Sequence, residues 1–288
     1  MQPKLQPSRT AKSVASASKT WFITGTSRGF GRIWAEAALR RGDRVAATAR
    51  EPAALDALVE TYGDAVLALG LDVTDRDAVF AAVNQAHRHF GRLDVVVNNA
   101  GYGLFGALEE TTEEQARAQL ETNVFGALWV TQAVLPHLRA QGGGHIVQTS
   151  SIGGIVTLPN LGLYHASKWA LEGFSESMAQ EVAEFGIHVT LVEPGGYATD
   201  WSRRSAERTH PLPAYDGMRA RSAKVWEMVP QADPADTGPA ILRLVDADDP
   251  PLRVFFGTPP LEIAREQYAR RLATWEQWSH ISQTAQGD

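Results

Sequence analysis

Tyr164 and Lys168 stand four residues apart in YHASK (164–168). On a helix that spacing puts both side chains on one face. A free tyrosine, with a pKa of about 10, is a poor acid–base group at neutral pH. A neighbouring ammonium favours the phenolate and lowers that pKa. Such a pair can protonate a carbonyl oxygen or take a proton from an alcohol. By itself the spacing is common among surface pairs. The chain has only five lysines, at positions 4, 12, 19, 168 and 224, so Lys168 stands out in a body that otherwise uses arginine. Ser150 and Ser151 lie fourteen and thirteen residues before Tyr164. A serine hydroxyl there can polarise a substrate oxygen. Neither serine sits in G-x-S-x-G, so the elbow of a serine hydrolase is absent.

A second group of residues suits phosphate. An apolar run ends in Thr24-Gly25-Thr26-Ser27-Arg28-Gly29-Phe30-Gly31. The glycines let backbone turn tightly and approach a pyrophosphate, and the following helix start offers free N–H groups and a positive dipole end. The next strand ends at Ala49-Arg50, where an acid would accept from the ribose 2′-OH of NAD. An arginine suits a 2′-phosphate instead, so Arg28 and Arg50 favour NADP(H) over NAD(H). Glu51 is placed to neutralise Arg50 in part. Asp72, ending a third strand, is positioned to accept from the adenine amino group, and Gly101 lets backbone come close to the cofactor ribose.

These groups need a scaffold. From Lys19 onward, short apolar runs alternate with helix-length stretches. Strands are predicted at 20–24, 44–49, 65–72, 93–98, 145–150, 187–193 and 252–258. Helices are predicted at 29–41, 52–62, 75–90 with Thr74 as cap, 112–140 disturbed near its end by Pro136, 161–185, 233–245 and 260–280. Runs such as VVV (95–97) are apolar on both faces, the mark of strands buried between helical layers. The expected class is α/β, a doubly wound parallel sheet of about seven strands with helices on both faces. Residues 19–288 read as one catalytic domain. Residues 196–232 break the alternation and read as a substrate lid, chiefly 197–230. The end, TAQGD, reads as frayed.

Composition narrows the function. The 288 residues include no cysteine, which excludes disulfides, a Cys-ligated zinc and a thiol nucleophile. No metal site is expected. The net charge of −6 argues against nucleic-acid binding. Residues 1–50 carry +8, leaving −14 for the rest, and the basic part coincides with the phosphate site. No apolar run is long enough for a membrane helix. Residues 1–18 are polar, basic and Ser-rich; they read as a disordered tail, a composition that transit segments share. A cytoplasmic location is expected.

Seven pieces in this order resemble the short-chain dehydrogenase/reductase family, in its short single-domain branch: TGTSRGFG (24–31), LDVTD (71–75), NNAG (98–101), Asn123 in ETNVFG, SS (150–151), YHASK (164–168) and PGGYAT (194–199). The resemblance covers about Lys19 to Gly257 and implies a Rossmann fold. It implies a catalytic tetrad of Asn123, Ser151, Tyr164 and Lys168, Ser151 being preferred by its spacing to the tyrosine. Tyr164 would donate the proton, Lys168 would lower its pKa and bind the nicotinamide ribose, and Asn123 would hold a water. Gly25, Ser27, Arg28, Gly29, Phe30, Gly31, Arg50, Asp72, Val73, Asn99, Ala100 and Gly101 would hold the nucleotide. Pro194, Gly195 and Thr199 would orient the nicotinamide. Phe30 departs from the more usual Ile. The four-residue Tyr–Lys gap differs from the seven of enoyl reductases. YHASKWALEGFSESMA (164–179), SIGG (151–154) and LPN (158–160) look most like hydroxysteroid-dehydrogenase-like members and bacterial oxidoreductases of unassigned substrate.

The expected function is an NADP(H)-dependent oxidoreductase of an apolar ketone or aldehyde and its alcohol. The pocket is expected from Tyr102, Leu104, Phe105, Leu158 and residues 197–228, with Arg203 and Arg204 meeting a carboxylate or water. The alternative is a catalytically silent NADP(H) sensor acting through a protein partner. A homo-oligomer, dimer or tetramer, is expected through the helices at 112–140 and 161–185.

Overall fold

A computed structural model describes residues 18–202 and 205–287. Of the expected tail, residues 1–17 lie outside the described part, as do Arg203 and Arg204. The strands are β1 (Thr20–Ile23), β2 (Arg44–Ala49), β3 (Val66–Gly70), β4 (Val95–Asn98), β5 (Leu104–Phe105), β6 (Gly144–Thr149), β7 (Ile187–Pro194), β8 (Glu207–Arg208) and β9 (Arg253–Phe256). Seven of them form one parallel sheet in the order β3-β2-β1-β4-β6-β7-β9. The helices are α1 (Gly29–Arg41), α2 (Asp56–Tyr62), α3 (Arg76–Phe90), α4 (Glu113–Leu120), α5 (Gly126–Gln141), α6 (Gly162–Val182), α7 (Asp216–Met228), α8 (Thr237–Val245), α9 (Pro259–Gln277) and α10 (Ser279–Gln286).

Strand alternation divides the core in two. Phe22, Ala46, Val96 and Ile146 point to one face, where α3, α5 and α6 bring Val79, Val83, Val134 and Met178. Trp21, Val45, Val97 and Val147 point to the other, under Trp34 of α1, Leu58 of α2 and Ile241 of α8. Burying one such large side chain is worth about 1.5–3 kcal/mol, so a sheet covered on both faces is built mainly from apolar side chains. The strand order reverses direction at β1, which opens a crevice between the carboxyl ends of β1 and β4.

Several local expectations are corrected. The cap of α3 is Asp75, whose carboxylate accepts from Ala78 N–H at 2.9 Å, while the Thr74 hydroxyl is occupied by Asp72 at 2.8 Å. The stretch 52–62 starts as a 3₁₀ turn over Pro52–Leu55 before α2. Pro136 lies inside an otherwise continuous α5, and the long helix is interrupted earlier, by a π turn at Glu121–Phe125. The end of the chain is helical through Gln286 rather than frayed. The lid region contributes an unforeseen strand: β8 pairs with β5, joining Leu104 to Glu207 and Phe105 to Arg208.

Candidate active site

The turn after β1 enters α1 through glycines that backbone crowding requires. A Cβ on Gly31 would run into the Gly25 carbonyl and the Asn99 amide, and one on Gly25 would lie 3.1 Å from Ala100 Cα. Gly29 has φ +60° with open space where a side chain would be. The N-cap of α1, Arg28, makes no capping bond with its side chain. Asn99 ties this turn to β4: its Nδ2 donates to Thr24 O at 2.9 Å and Gly25 O at 3.0 Å. Thr24 Oγ1 accepts from the N–H groups of Asn99 and Ala100. The cradle is open, rigid and lined with N–H groups, which fits a dinucleotide pyrophosphate.

This turn forms one end of a cavity of about 1150 Å³. Of the tetrad and nucleotide residues expected from the sequence, all except Gly31 and Asn123 line it. Arg28 and Arg50 are exposed at its rim, and neither forms an ion pair among the described residues; Glu51 does not engage Arg50. Asp72 uses Oδ1 to hold the Thr74 N–H and hydroxyl at 2.9 and 2.8 Å. Gly195 donates its N–H to Phe256 O at 3.0 Å, and Thr199 donates its N–H to Tyr197 O at 2.8 Å.

Tyr164 and Lys168 lie one turn apart on α6, both buried. Lys168 Nζ is 5.8 Å from the Tyr164 ring centre and donates to Thr149 O at 2.7 Å. Burial pushes the Tyr164 hydroxyl up to about 12, opposed by a hydrogen bond from Ser151. Burial pulls Lys168 down to about 8, opposed by the charge of Glu172. In this geometry, burial sets the direction of the tyrosine pKa. At neutral pH the pair is a neutral phenol beside an ammonium, which is the form that can donate a proton.

The two serines diverge. Ser151 Oγ accepts from Gly153 N–H at 3.0 Å and serves Tyr164. Ser150 Oγ donates away, to Glu172 Oε1 at 2.5 Å. Asn123 sits in the π turn, a distortion often found at functional sites. Its Oδ1 accepts from Tyr102 N–H at 3.1 Å, and its Nδ2 donates to Tyr102 O and to Ser167 Oγ, both at 3.0 Å. Ser167 in turn donates to Tyr164 O at 2.7 Å. One amide hydrogen thus braces α6 through Ser167, and the other holds the Tyr102 carbonyl in the loop after β4.

Phe105, Leu158, Trp201 and Trp226 line the other end of the cavity. Trp201 lies 4.8 Å from the Tyr164 ring and 5.4 Å from Phe105. Leu104 is buried in β5 and does not line the cavity, contrary to expectation.

Residues with long-range roles were not foreseen. His165 Nε2 accepts from Leu158 N–H at 2.9 Å, so its proton is on Nδ1, which donates to Gly153 O at 2.8 Å. Burial lowers its pKa and keeps it neutral, and the ring holds the 153–158 wall beside Tyr164. Glu110, almost wholly buried, accepts from Leu212 N–H at 2.8 Å, Ala107 N–H at 2.9 Å, Thr209 Oγ1 at 3.0 Å and the Arg219 guanidinium. It pins the lid to the body. The presence of His in YHASK was the one available signal for His165; nothing local marks Glu110.

With fold and site defined, the class is clear: the profile of the short chain dehydrogenase family matches residues 19–210. The chain belongs to this family and is an oxidoreductase of its type. It is 43% identical over 269 residues to the oxidoreductase BOA17 of Botryotinia fuckeliana, covering 92% of this chain and 98% of that protein. It is 41% identical over 240 residues to 3-ketodihydrosphingosine reductase of Bacteroides thetaiotaomicron, covering 82% and 87%. Among solved structures, a short-chain dehydrogenase from Streptomyces avermitilis superposes with TM-score 0.87 at 38% identity, covering 94% of this chain and 99% of the other. A Burkholderia cenocepacia short chain dehydrogenase in complex with NADP matches with TM-score 0.72 at 28% identity, covering 90% and 97%. A Burkholderia phymatum relative in complex with NAD matches with TM-score 0.75 at 25% identity, covering 86% and 92%.

Proposed function

We propose that this oxidoreductase interconverts an apolar ketone or aldehyde with its alcohol and prefers NADP(H) to NAD(H). The observation that carries the reading is the single cavity that runs from Arg28 and Arg50 to the buried Tyr164–Lys168 pair and on to an aromatic end at Phe105, Trp201 and Trp226. A nicotinamide nucleotide supplies hydride when bound. Tyr164 protonates the carbonyl oxygen, Ser151 steadies the same oxygen, and Lys168 supplies the positive charge that stabilises the phenolate left behind. Arg28 and Arg50 act as a fork for a 2′-phosphate. The aromatic end excludes water and accepts an apolar substrate body. The name of the Bacteroides relative, a ketone reductase, agrees with a carbonyl on an apolar chain. A sensor has no use for the acid–base pair, and no relative named above supports that alternative. The reading includes a homo-oligomer, no nucleic-acid partner and the cytoplasm as location. Among the described residues no helix is long and apolar enough to cross a membrane.

The test is nucleotide consumption by the purified chain with 2-decanone, acetophenone and decanal. NADPH is compared with NADH, and wild type with Tyr164→Phe. Turnover that requires Tyr164 and favours NADPH is expected. Turnover that survives in Tyr164→Phe overturns the mechanism, and a preference for NADH overturns the role of the arginines.

A further inference from the structure

Behind the Tyr164–Lys168 pair lies a group of buried charges that the reaction above does not use. Glu172 is one turn beyond Lys168 on α6, and the two are 5% and 7% exposed. A charge so deeply buried persists only with compensating partners. Glu172 has two. Its Oε1 accepts from Ser150 Oγ at 2.5 Å, and its Oε2 accepts from Arg253 Nε at 2.9 Å.

Two features join this carboxylate to Lys168. Thr149 and Ser150 are consecutive at the end of β6, so the ammonium holds one residue through its carbonyl while the carboxylate holds the next through its hydroxyl. Gly154 keeps the path clear: a Cβ there would come within 2.9 Å of both Glu172 Cγ and Ser150 Oγ. The carboxylate is therefore lodged against the segment on which the ammonium rests.

We propose that Glu172 is a positioning residue of this oxidoreductase: anchored by Ser150 and Arg253, its carboxylate keeps Lys168 charged and seated on the Thr149 carbonyl beside Tyr164. The proposal rests on the Tyr164–Lys168 reading of the reaction. Burial alone drives Lys168 towards the neutral amine, and Glu172 is the charge that opposes it. The other charged groups around Glu172 are Glu176 on the same helix, Glu193 on β7 and Arg253 on β9. From α9, Arg271 packs on Trp169 and donates to Ile155 O at 3.0 Å. Arg253 also pairs with Glu176 at 2.8 Å, so it keeps a counter-charge when Glu172 is neutralised. A purely structural Glu172–Arg253 pair would leave Lys168 indifferent to that change.

The full chain, labelled with ¹³C at lysine Cε, gives at most five resonances, and Lys168→Arg identifies the one from Lys168. The pH titration of that resonance is followed without substrate or nucleotide in wild type and Glu172→Gln. The Lys168 midpoint is expected to fall by about one pH unit in Glu172→Gln and to recover in part in Glu172→Asp. Ser150→Ala, which removes only a hydroxyl, keeps the test available if Glu172→Gln does not fold; it is expected to lower the midpoint by a few tenths. An unchanged midpoint in a folded variant overturns the proposal. Because the readout needs no turnover, a failure of the carbonyl assay is distinguishable from a failure here.

Discussion

The Lys168 ammonium donates to the main-chain oxygen of Thr149 at 2.7 Å, so the last residue of β6 seats the charge that stands beside Tyr164. The sheet and α6 thus set the geometry of the acid–base pair jointly. Tyr164, held up at about 12, is protonated throughout the range in which Lys168 is charged. Replacing Tyr164 by Phe is expected to lower kcat by about 10²–10⁴-fold, the range of a lost general acid, with nucleotide binding retained. Rapid-quench turnover and fluorescence titration with NADPH measure the two separately.

Arg28 and Arg50 meet no acid among the described residues. Each Arg→Ala change is expected to raise the KM for NADPH by roughly 10-fold or more, the scale of one charge-assisted bond, and to leave that for NADH nearly unchanged. Steady-state kinetics with both nucleotides separate this from general damage. A parallel loss with NADH contradicts the assignment.

Glu110 is held well below the usual carboxylate range, at about 2, first by the Leu212 N–H and then by Ala107, Arg219 and Thr209. A depressed carboxylate pKa stabilises the folded state above the unfolded value of about 4.3, and that contribution is lost as pH falls towards about 2. Wild type should therefore melt above Glu110→Gln at neutral pH, with the gap closing as the medium becomes acidic. Thermal denaturation across that range checks the sign. Faster amide exchange in 207–219 of the variant would place the effect in the lid.

Glu193 has the opposite sign. It is 1% exposed, and burial first, then the charge of Glu172, push its carboxyl well above the ordinary range against the pull of Arg253. The folded chain keeps a proton that the unfolded chain gives up above about pH 4.3, so stability falls as pH rises through the window above it. Glu193→Gln removes this penalty. The variant should match wild type near pH 5 and melt higher at mildly alkaline pH. A variant that is less stable at every pH would mean that the carboxyl is ionised in the folded state.

The sequence by itself determined the layered α/β body, since alternation of apolar runs and amphipathic stretches is a local property that one chain displays in order. α1 and β2 fall where the periodicity puts them. The glycine turn and the Tyr164–Lys168 pair were visible for the same reason: each rests on backbone freedom or on a spacing of four residues. The tertiary structure alone decided which partner each polar group finds. Ser150 and Ser151 are adjacent and chemically alike, yet β6 turns one to Glu172 and the other to Tyr164. Asn123 became a brace when a π turn rotated it towards Tyr102 and Ser167, a distortion that helix periodicity does not encode. Glu172 meets Arg253, 81 positions away, and Glu110 meets Arg219, 109 positions away. Those distances along the chain are closed only by packing of α6 on β9 and of the lid on the body, and burial then makes each pairing obligatory by removing water as the competing partner.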